Sequence, residues 1–344
     1  MESPTPNISM LPRLSLSLAR YSRGTFGRLK IPISGRITIR LADAIEVQRI
    51  INDLNEKYDT VINIINGFRQ YCESAPEDTL ADSIELELSR MIFGSNFIER
   101  AGTNFEETLT LCKAVFRNEQ FANDVTTRTR SRMEVIQHAK ALKFFFEKFL
   151  LENSELTENL ILETHRILCE GHDHDHDGTP WEEWAGIYRD CEIAASSIDK
   201  VTGKRKKSIF IRASAVPGYM RALVQEFNVW TTRDRDSTNI DPFEIASWLC
   251  TQFVNIHPFA DGNGRMCRIL LNAVLYKYTG LIACIGDNED EGRDEYLEIA
   301  NQANRVYHEE DCEVPVEGQT SHVALSNLVL QKVTECGGRI VRHR

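Results

Sequence analysis

Residues 257–268, "HPFADGNGRMCR", bring a histidine, an aspartate, two glycines around an asparagine, and two arginines into one short stretch. Each type meets a separate need of one class of reaction. Imidazole titrates near pH ~6.5 when unperturbed, so His257 can take a proton from an incoming hydroxyl at neutral pH. Gly262 and Gly264 admit positive φ and let the backbone approach a ligand closely. A turn of exposed N–H groups leading into a helix N-terminus binds anions. Arg265 and Arg268 lie three apart, share a helix face, and offer planar forks that match phosphate oxygens. Asp261 alone would repel phosphate. A divalent cation held by one carboxylate and by substrate phosphate oxygens removes that conflict. The combination points to phosphoryl or nucleotidyl transfer, in which positioning and charge stabilisation supply most of the rate. Taken singly, the same residues would read as a helix cap, a turn and a solvated helix face.

These side chains need elements to hold them. Asp241, Pro242 and Glu244 form an N-cap pattern, and Ile245, Leu249 and Phe253 recur at helical spacing, so a helix spans 241–256 and ends at His257. A second helix starts near Gly262–Asn263 and runs to Gly280, a C′ glycine. Apolar periodicity predicts further helices over 43–73, 79–99, 105–117, 128–152, 157–169, 217–231, 294–306 and 323–336. Between them "GIYRDCEIAASSI" (186–198) and "KSIFIRAS" (207–214) read as two strands of a hairpin, joined by the polar "DKVTGKRK". The expected fold is mainly α, a helical bundle with one small hairpin.

The 344 residues carry a formal net charge of −11, which disfavours a nucleic-acid partner. Composition is that of an ordinary globular chain, 42% apolar and 26% charged. No apolar run reaches membrane-spanning length. Nine scattered cysteines without a CxxC suggest reduced thiols in a reducing compartment, so a cytoplasmic location is expected. Residues 3–42 hold seven basic residues and no acid. This resembles a mitochondrial transit peptide, with a mitochondrial location as the alternative, but a flexible basic arm is the preferred reading. The organisation expected is an arm over 1–42, a helical region over 43–125, a catalytic core over 126–310 and a helical extension over 311–344.

The stretch at 257–268 resembles the signature of the Fic (Fido) family, H-x-F-x-D/E-G-N-G-R-x-x-R, at all eight fixed positions. "GIYR" (186–189) is similar to the family's G-x-Y-R ahead of its flap, and "DEYLEIANQAN" (294–304) to the helix that closes its adenosine pocket. The resemblance covers much of 90–310. It implies a Fic fold whose β-hairpin flap lies over the active site, and a protein adenylyltransferase that moves AMP from ATP to a Ser, Thr or Tyr hydroxyl. In that scheme His257 is the base and Phe259 anchors the loop. Asp261 holds Mg²⁺, with Mn²⁺ as the alternative. Gly262, Asn263 and Gly264 cradle phosphates, Arg265 steadies the leaving pyrophosphate and Arg268 meets the γ-phosphate; His257, Asn263 and Arg265 are the catalytic set. Tyr296 and Asn304 match adenosine-pocket positions. Glycine at 264, where the phosphotransferase branch has lysine, favours AMP transfer. The target would dock on the 186–213 hairpin, and self-modification is a further expectation.

"SNFIER" (95–100) resembles the family's inhibitory motif at Ser95 and Glu99 but has arginine at 100, where glycine or asparagine is usual. Glu99 would pair with Arg268 in place of the γ-phosphate. The arrangement looks like the class with its inhibitory helix ahead of the core. Two other outcomes stay open: an enzyme that mainly removes AMP or uses another phosphate-containing donor, and a non-catalytic interaction module. "HDHDHDG" (172–178) matches only the start of an EF-hand loop, with Trp184 at its twelfth position, and is read as a solvated loop. "KRKK" (204–207) is read as decoration of the hairpin turn, and Trp181, Trp184, Trp230 and Trp248 as core or loop anchors.

Overall fold

The computed structural model describes residues 13–26, 44–119, 129–172, 178–198, 205–233, 241–310 and 318–342. The expected boundaries near 42 and 125, the start of the C-terminal extension, the hairpin tip over 199–204 and most of "HDHDHDG" (173–177) lie outside the described residues.

Eleven α-helices and one hairpin form the main elements among the described residues. In chain order the helices are α1 (Leu14–Phe26), α2 (Ala44–Ser74), α3 (Glu77–Ile98), α4 (Phe105–Phe116), α5 (Arg130–Phe146), α6 (Glu158–Cys169), α7 (Val216–Arg233), α8 (Pro242–Ile256), α9 (Asn263–Thr279), α10 (Asp290–Glu310) and α11 (Val323–Arg342). Strands β1 (Ala194–Ile198) and β2 (Arg205–Ile209) pair antiparallel, with Ala194 opposite Ile209 and Ile198 opposite Arg205. Helix α9 is buried on every side, including Met266, Cys267, Ile269, Leu270, Leu271, Ala273 and Val274. A helix buried all round belongs in the middle of a bundle, and α8, α5 and α3 pack around α9.

The helices start and stop where their chemistry requires. Asp241 caps α8 by accepting from the N–H groups of Phe243 (2.9 Å) and Glu244 (3.2 Å). Its other carboxylate oxygen accepts from the Tyr58 hydroxyl, tying α2 to the head of α8. The Glu244 side chain does not close a capping box; its carboxylate faces His322 at 3.7 Å. Gly280 ends α9 at φ 75, the left-handed geometry that glycine adopts without strain. Arg100 takes that conformation (φ 57) after α3, so the helix ends there as it would at glycine.

Two expectations change. The basic arm is not flexible throughout: Leu14–Phe26 is a helix with Leu14 and Leu18 fully buried against α3 and α2. The Ser22 hydroxyl meets the Tyr276 hydroxyl of α9 at 3.0 Å, and Arg23 Nε donates to the carbonyl of Cys72 at 2.8 Å. The strands are also shorter and shifted, because "GIYR" is not a strand and Arg205 and Lys206 belong to β2 rather than to the turn. Trp248 is buried against Trp230 (5.4 Å between rings), as a core anchor should be. No helix among the described residues is long and apolar enough to cross a membrane.

Leu18→Ala should destabilise the chain by about 3 kcal/mol, the range for truncating a buried leucine. Arg20, exposed on the same helix, should tolerate alanine within about 0.5 kcal/mol. Chemical denaturation distinguishes the two. An unmoved midpoint for Leu18→Ala would mean that α1 is not part of the core.

Candidate active site

Helix α8 delivers His257 at its C-terminus. The residue adopts a left-handed conformation (φ 52, ψ 60) while its N–H still bonds the carbonyl of Phe253 (3.0 Å). The imidazole Nδ1–H donates to the carbonyl of Val254 (3.0 Å), which fixes the tautomer and leaves a lone pair on Nε2. Burial pushes the imidazole down to about 4, the Val254 carbonyl opposing and nearby Arg189 assisting. One face stacks on Phe210, with centroids 3.8 Å apart and planes 17° apart.

Arg189 holds this corner from behind. Its buried guanidinium donates to the carbonyls of His257 (2.7 Å), Cys191 (2.8 Å) and Ile211, and its backbone N–H donates to Pro258 (2.9 Å). One side chain thus ties both roots of the hairpin to His257. His165 of α6 does the same for the next turn. Its Nδ1 accepts from the N–H of Gly186 (2.8 Å), its Nε2–H donates to the carbonyl of Asp261 (2.9 Å), and its ring stacks on Phe259 at 3.6 Å. Burial pushes His165 to about 4 as well, so it acts as a neutral brace. Reading the sequence missed both residues. Arg189 could have been found in "GIYR"; His165 sits in an ordinary helical stripe and gives no local signal.

The turn itself is self-braced. Phe259 is fully buried. The Asn263 amide accepts from the N–H of Phe259 (3.0 Å) and donates to its carbonyl (2.8 Å). The side chain of Asn263 therefore shapes the loop, and what it offers an anion is its backbone N–H at the start of α9. Gly262 caps α9 at φ 76, its N–H taken by Asp261 Oδ1 (2.6 Å). The remaining first-turn N–H groups have no partner within the helix and carry its positive end. Asp261 is half exposed, 3.8 Å from the guanidinium of Arg265.

Arg268 lies deepest, 1% exposed. Its Nε donates to Ser95 Oγ (2.8 Å), and its Nη2 donates to the carbonyl of Ser95 (2.8 Å) and to Glu99 Oε1 (2.6 Å). Burial is the largest single influence on Arg268 and opposes its charge, but the Glu99 carboxylate, with Tyr296 and Cys267 assisting, raises the guanidinium above its usual range. Helix α3 thus presents both inhibitory-motif residues to α9. A Cβ on Gly264 would fall 2.2 Å from Glu99 Oε1, so the glycine makes room for that carboxylate. Tyr296 joins the site beneath Arg268, its ring 5.4 Å from the guanidinium. Asn304 sits further out, where Nδ2 donates to the carbonyl of Ile209 (3.0 Å) and to Asn255 Oδ1 (2.7 Å). His138, fully buried behind the arginines, bonds Asn96 Oδ1 (3.0 Å) and is held well below its usual range by burial and by the two guanidiniums.

Comparisons with known proteins agree with this fold. A family model described as Fic/DOC family matches residues 155–275. A Fido domain-containing protein of Dictyostelium discoideum is 36% identical over 140 residues, which are 41% of this chain and 81% of the relative. A protein adenylyltransferase Fic of Nematostella vectensis is 28% identical over 257 residues, 75% of this chain but only 51% of the relative. Among solved structures, a Fic domain containing signaling protein from Bacteroides thetaiotaomicron superposes with a TM-score of 0.62 at 20% identity, covering 82% of this chain and 96% of that one. Fic-1 from C. elegans superposes with a TM-score of 0.60 at 18% identity, over 87% and 75% respectively. At these identities the structural likenesses bear on the fold alone.

Helix α3 owes its close docking to Gly94, whose Cβ would lie 2.4 Å from the carbonyl oxygen of Ile285. Backbone cannot yield as a side-chain tip can, so Gly94→Ala should cost about 3 kcal/mol. Gly338→Ala on α11, with nothing within 4 Å of the new methyl, should be neutral or stabilising by up to about 1 kcal/mol. Equal denaturation midpoints would refute the tight contact. Acid supplies a second test. His165 and His257 titrate near about 4 in the fold and near about 6.5 unfolded. Between those values the unfolded chain binds more protons, so stability is full above pH ~6.5 and declines as pH falls toward ~4. Urea unfolding at pH 5 and pH 7.5 should show the lower midpoint at pH 5.

Proposed function

The chain belongs to the Fic/DOC family, and we propose that it is a protein adenylyltransferase, transferring AMP from ATP to a Ser, Thr or Tyr hydroxyl of a target protein or of itself, with Glu99 as its brake. The observation that carries this reading is the meeting of three parts at one place: a base with a lone pair on His257 Nε2, a helix N-terminus flanked by Arg265 and Arg268, and a carboxylate already seated on Arg268.

In the proposed reaction the target hydroxyl gives its proton to His257 Nε2 as its oxygen attacks the α-phosphorus of ATP. The bond from that phosphorus to the bridging oxygen breaks, and pyrophosphate leaves. Arg265 and the first-turn N–H groups of α9 neutralise the charge on the phosphates. Arg268 takes the γ-phosphate once Glu99 has left it. Among the described residues no group of three or more His, Cys, Asp or Glu side chains could hold a metal by itself. The half-exposed Asp261 carboxylate nevertheless fits Mg²⁺ or Mn²⁺, whose remaining ligands would be phosphate oxygens and water. When bound, the cation would supply positive charge against the phosphates. Glycine at 264, where the phosphotransferase branch has lysine, supports AMP transfer over γ-phosphate transfer.

The test uses the full chain with Glu99→Gly, Mg²⁺, and ATP labelled at either the α- or the γ-phosphate. Protein labelling from the α-phosphate should rise at least about tenfold over wild type, the order expected for freeing a buried charged contact. It should vanish with His257→Ala. Label from the γ-phosphate would mean phosphotransfer, and no gain from Glu99→Gly would remove the brake from the scheme.

A further inference from the structure

The flap reaches the candidate base through one residue that the proposed reaction does not use. Phe210 follows β2 directly, and its ring lies flat on the His257 imidazole (3.8 Å, 17°). Both of its neighbours are pinned. On one side the carbonyl of Ile209 accepts from Asn304 Nδ2 (3.0 Å) and His308 Nε2 (2.6 Å) of α10, and Ser208 Oγ reaches Asn301 Oδ1 at 3.4 Å. On the other side the carbonyl of Ile211 is held by the guanidinium of Arg189. The ring therefore does not rest on His257 by chance; anchors on α10 and at the hairpin root deliver it there.

Two constraints at right angles then define the imidazole. The Nδ1–H bond to Val254 acts in the ring plane, and the Phe210 stack acts on the ring face. Neither covers Nε2, whose lone pair points outward along the ring edge. A stacked ring thus holds the base without obstructing it. We propose that Phe210 is a positioning residue for the general base, holding the His257 ring in the plane that aims Nε2 at the incoming hydroxyl. The inference rests on reading His257 as that base. Charged groups facing the imidazole are Arg189 from the hairpin root, Glu99 from the end of α3 and Asp261 from the turn. Phe210 adds none; it contributes a flat face and excludes water. Because its neighbours are held by α10 and by the hairpin root, any partner that shifts the flap also shifts the base.

The full chain would be compared with Phe210→Leu, which keeps apolar bulk but removes the flat face, and Phe210→Tyr, which keeps the face. Two readouts are taken: AMP transfer as kcat and as KM for ATP, and titration of the His257 ring by NMR, its signal assigned by its loss in His257→Ala. For Phe210→Leu, kcat should fall roughly tenfold with KM for ATP within about twofold, the signature of misaligned chemistry rather than weakened binding. The His257 midpoint should rise by about one unit toward the exposed value as water reaches the ring. Phe210→Tyr should stay within about twofold of wild type in rate, with the midpoint unmoved. A leucine variant matching wild type in both readouts, or a tyrosine variant as impaired as the leucine one, would overturn the proposal. If no form transfers AMP, including Glu99→Gly, the reading of the reaction fails, while the His257 midpoint still decides whether Phe210 controls the ring.

Discussion

A guanidinium almost wholly removed from water must have an anion against it, and Arg268 sets that condition for the rest of the site. Stripping one partner from a buried pair leaves an uncompensated charge, which costs more than the pair itself contributes. Here the partner comes from the chain: the Glu99 carboxylate, with Ser95 supplying two further acceptors. The same requirement is met equally well by a phosphate, so the site has two ways of being satisfied and cannot adopt both. That exclusivity is the basis for proposing a carboxylate at this position as a brake. The contact is also one that can open. The Glu99 side chain is about a third exposed (37%), so it can swing into water without first exposing any apolar core.

What cannot swing is the helix that carries it. Gly94 brings the α3 backbone against Ile285 and Gly286. Glu87 of the same helix is held bidentately by Arg339 of α11, with a shortest contact of 2.7 Å, and Glu85 pairs with Arg117 at 2.7 Å. A helix held by backbone contact and two ion pairs is part of the core. Opening of the Glu99–Arg268 contact is therefore a matter of the last turn and one side chain. Arg100 belongs to that last turn. Held at φ 57, it carries the strain that glycine would avoid, which concentrates the weak point of α3 at the residue beside Glu99.

The divide between what the sequence disclosed and what it hid follows the range of the interactions. Helices with an apolar stripe at their own period were legible, as was the turn at 257–268, because each is written in neighbouring residues. Helix α1 was obscured because its buried stripe, Leu14 and Leu18, runs through "LSLSL", which looks like alternation, among arginines that suggest an arm. "GIYR" reads as strand, yet Arg189 and Gly186 spend their hydrogen bonds on the turn after α8 and on His165 instead of on a sheet partner. Asn263 was assigned to phosphate because a glycine-rich turn suggests a cradle, whereas its amide closes the loop onto Phe259. His165, Arg189 and Phe210 each act on residues about 50 to 100 positions away, and no local pattern records such a meeting.

Asn304 shows how far donor counting constrains what could bind at the α10 end of the site. A side-chain amide has two N–H donors and one acceptor oxygen. Both contacts recorded for the Asn304 Nδ2 are to acceptors, the Ile209 carbonyl on the flap and the Asn255 amide oxygen on α8, so its donors are spent. A ligand could engage this residue without disturbing the flap only by donating to Oδ1, as an exocyclic amino group would. A ligand that needed a donor from Asn304 would have to take it from Ile209 and loosen the strand that carries Phe210. His257 at one end of the site and Asn304 at the other are thereby joined through one amide and one short stretch of flap. An adenine-type base, which donates from its amino group, is the kind of ligand that leaves that connection intact.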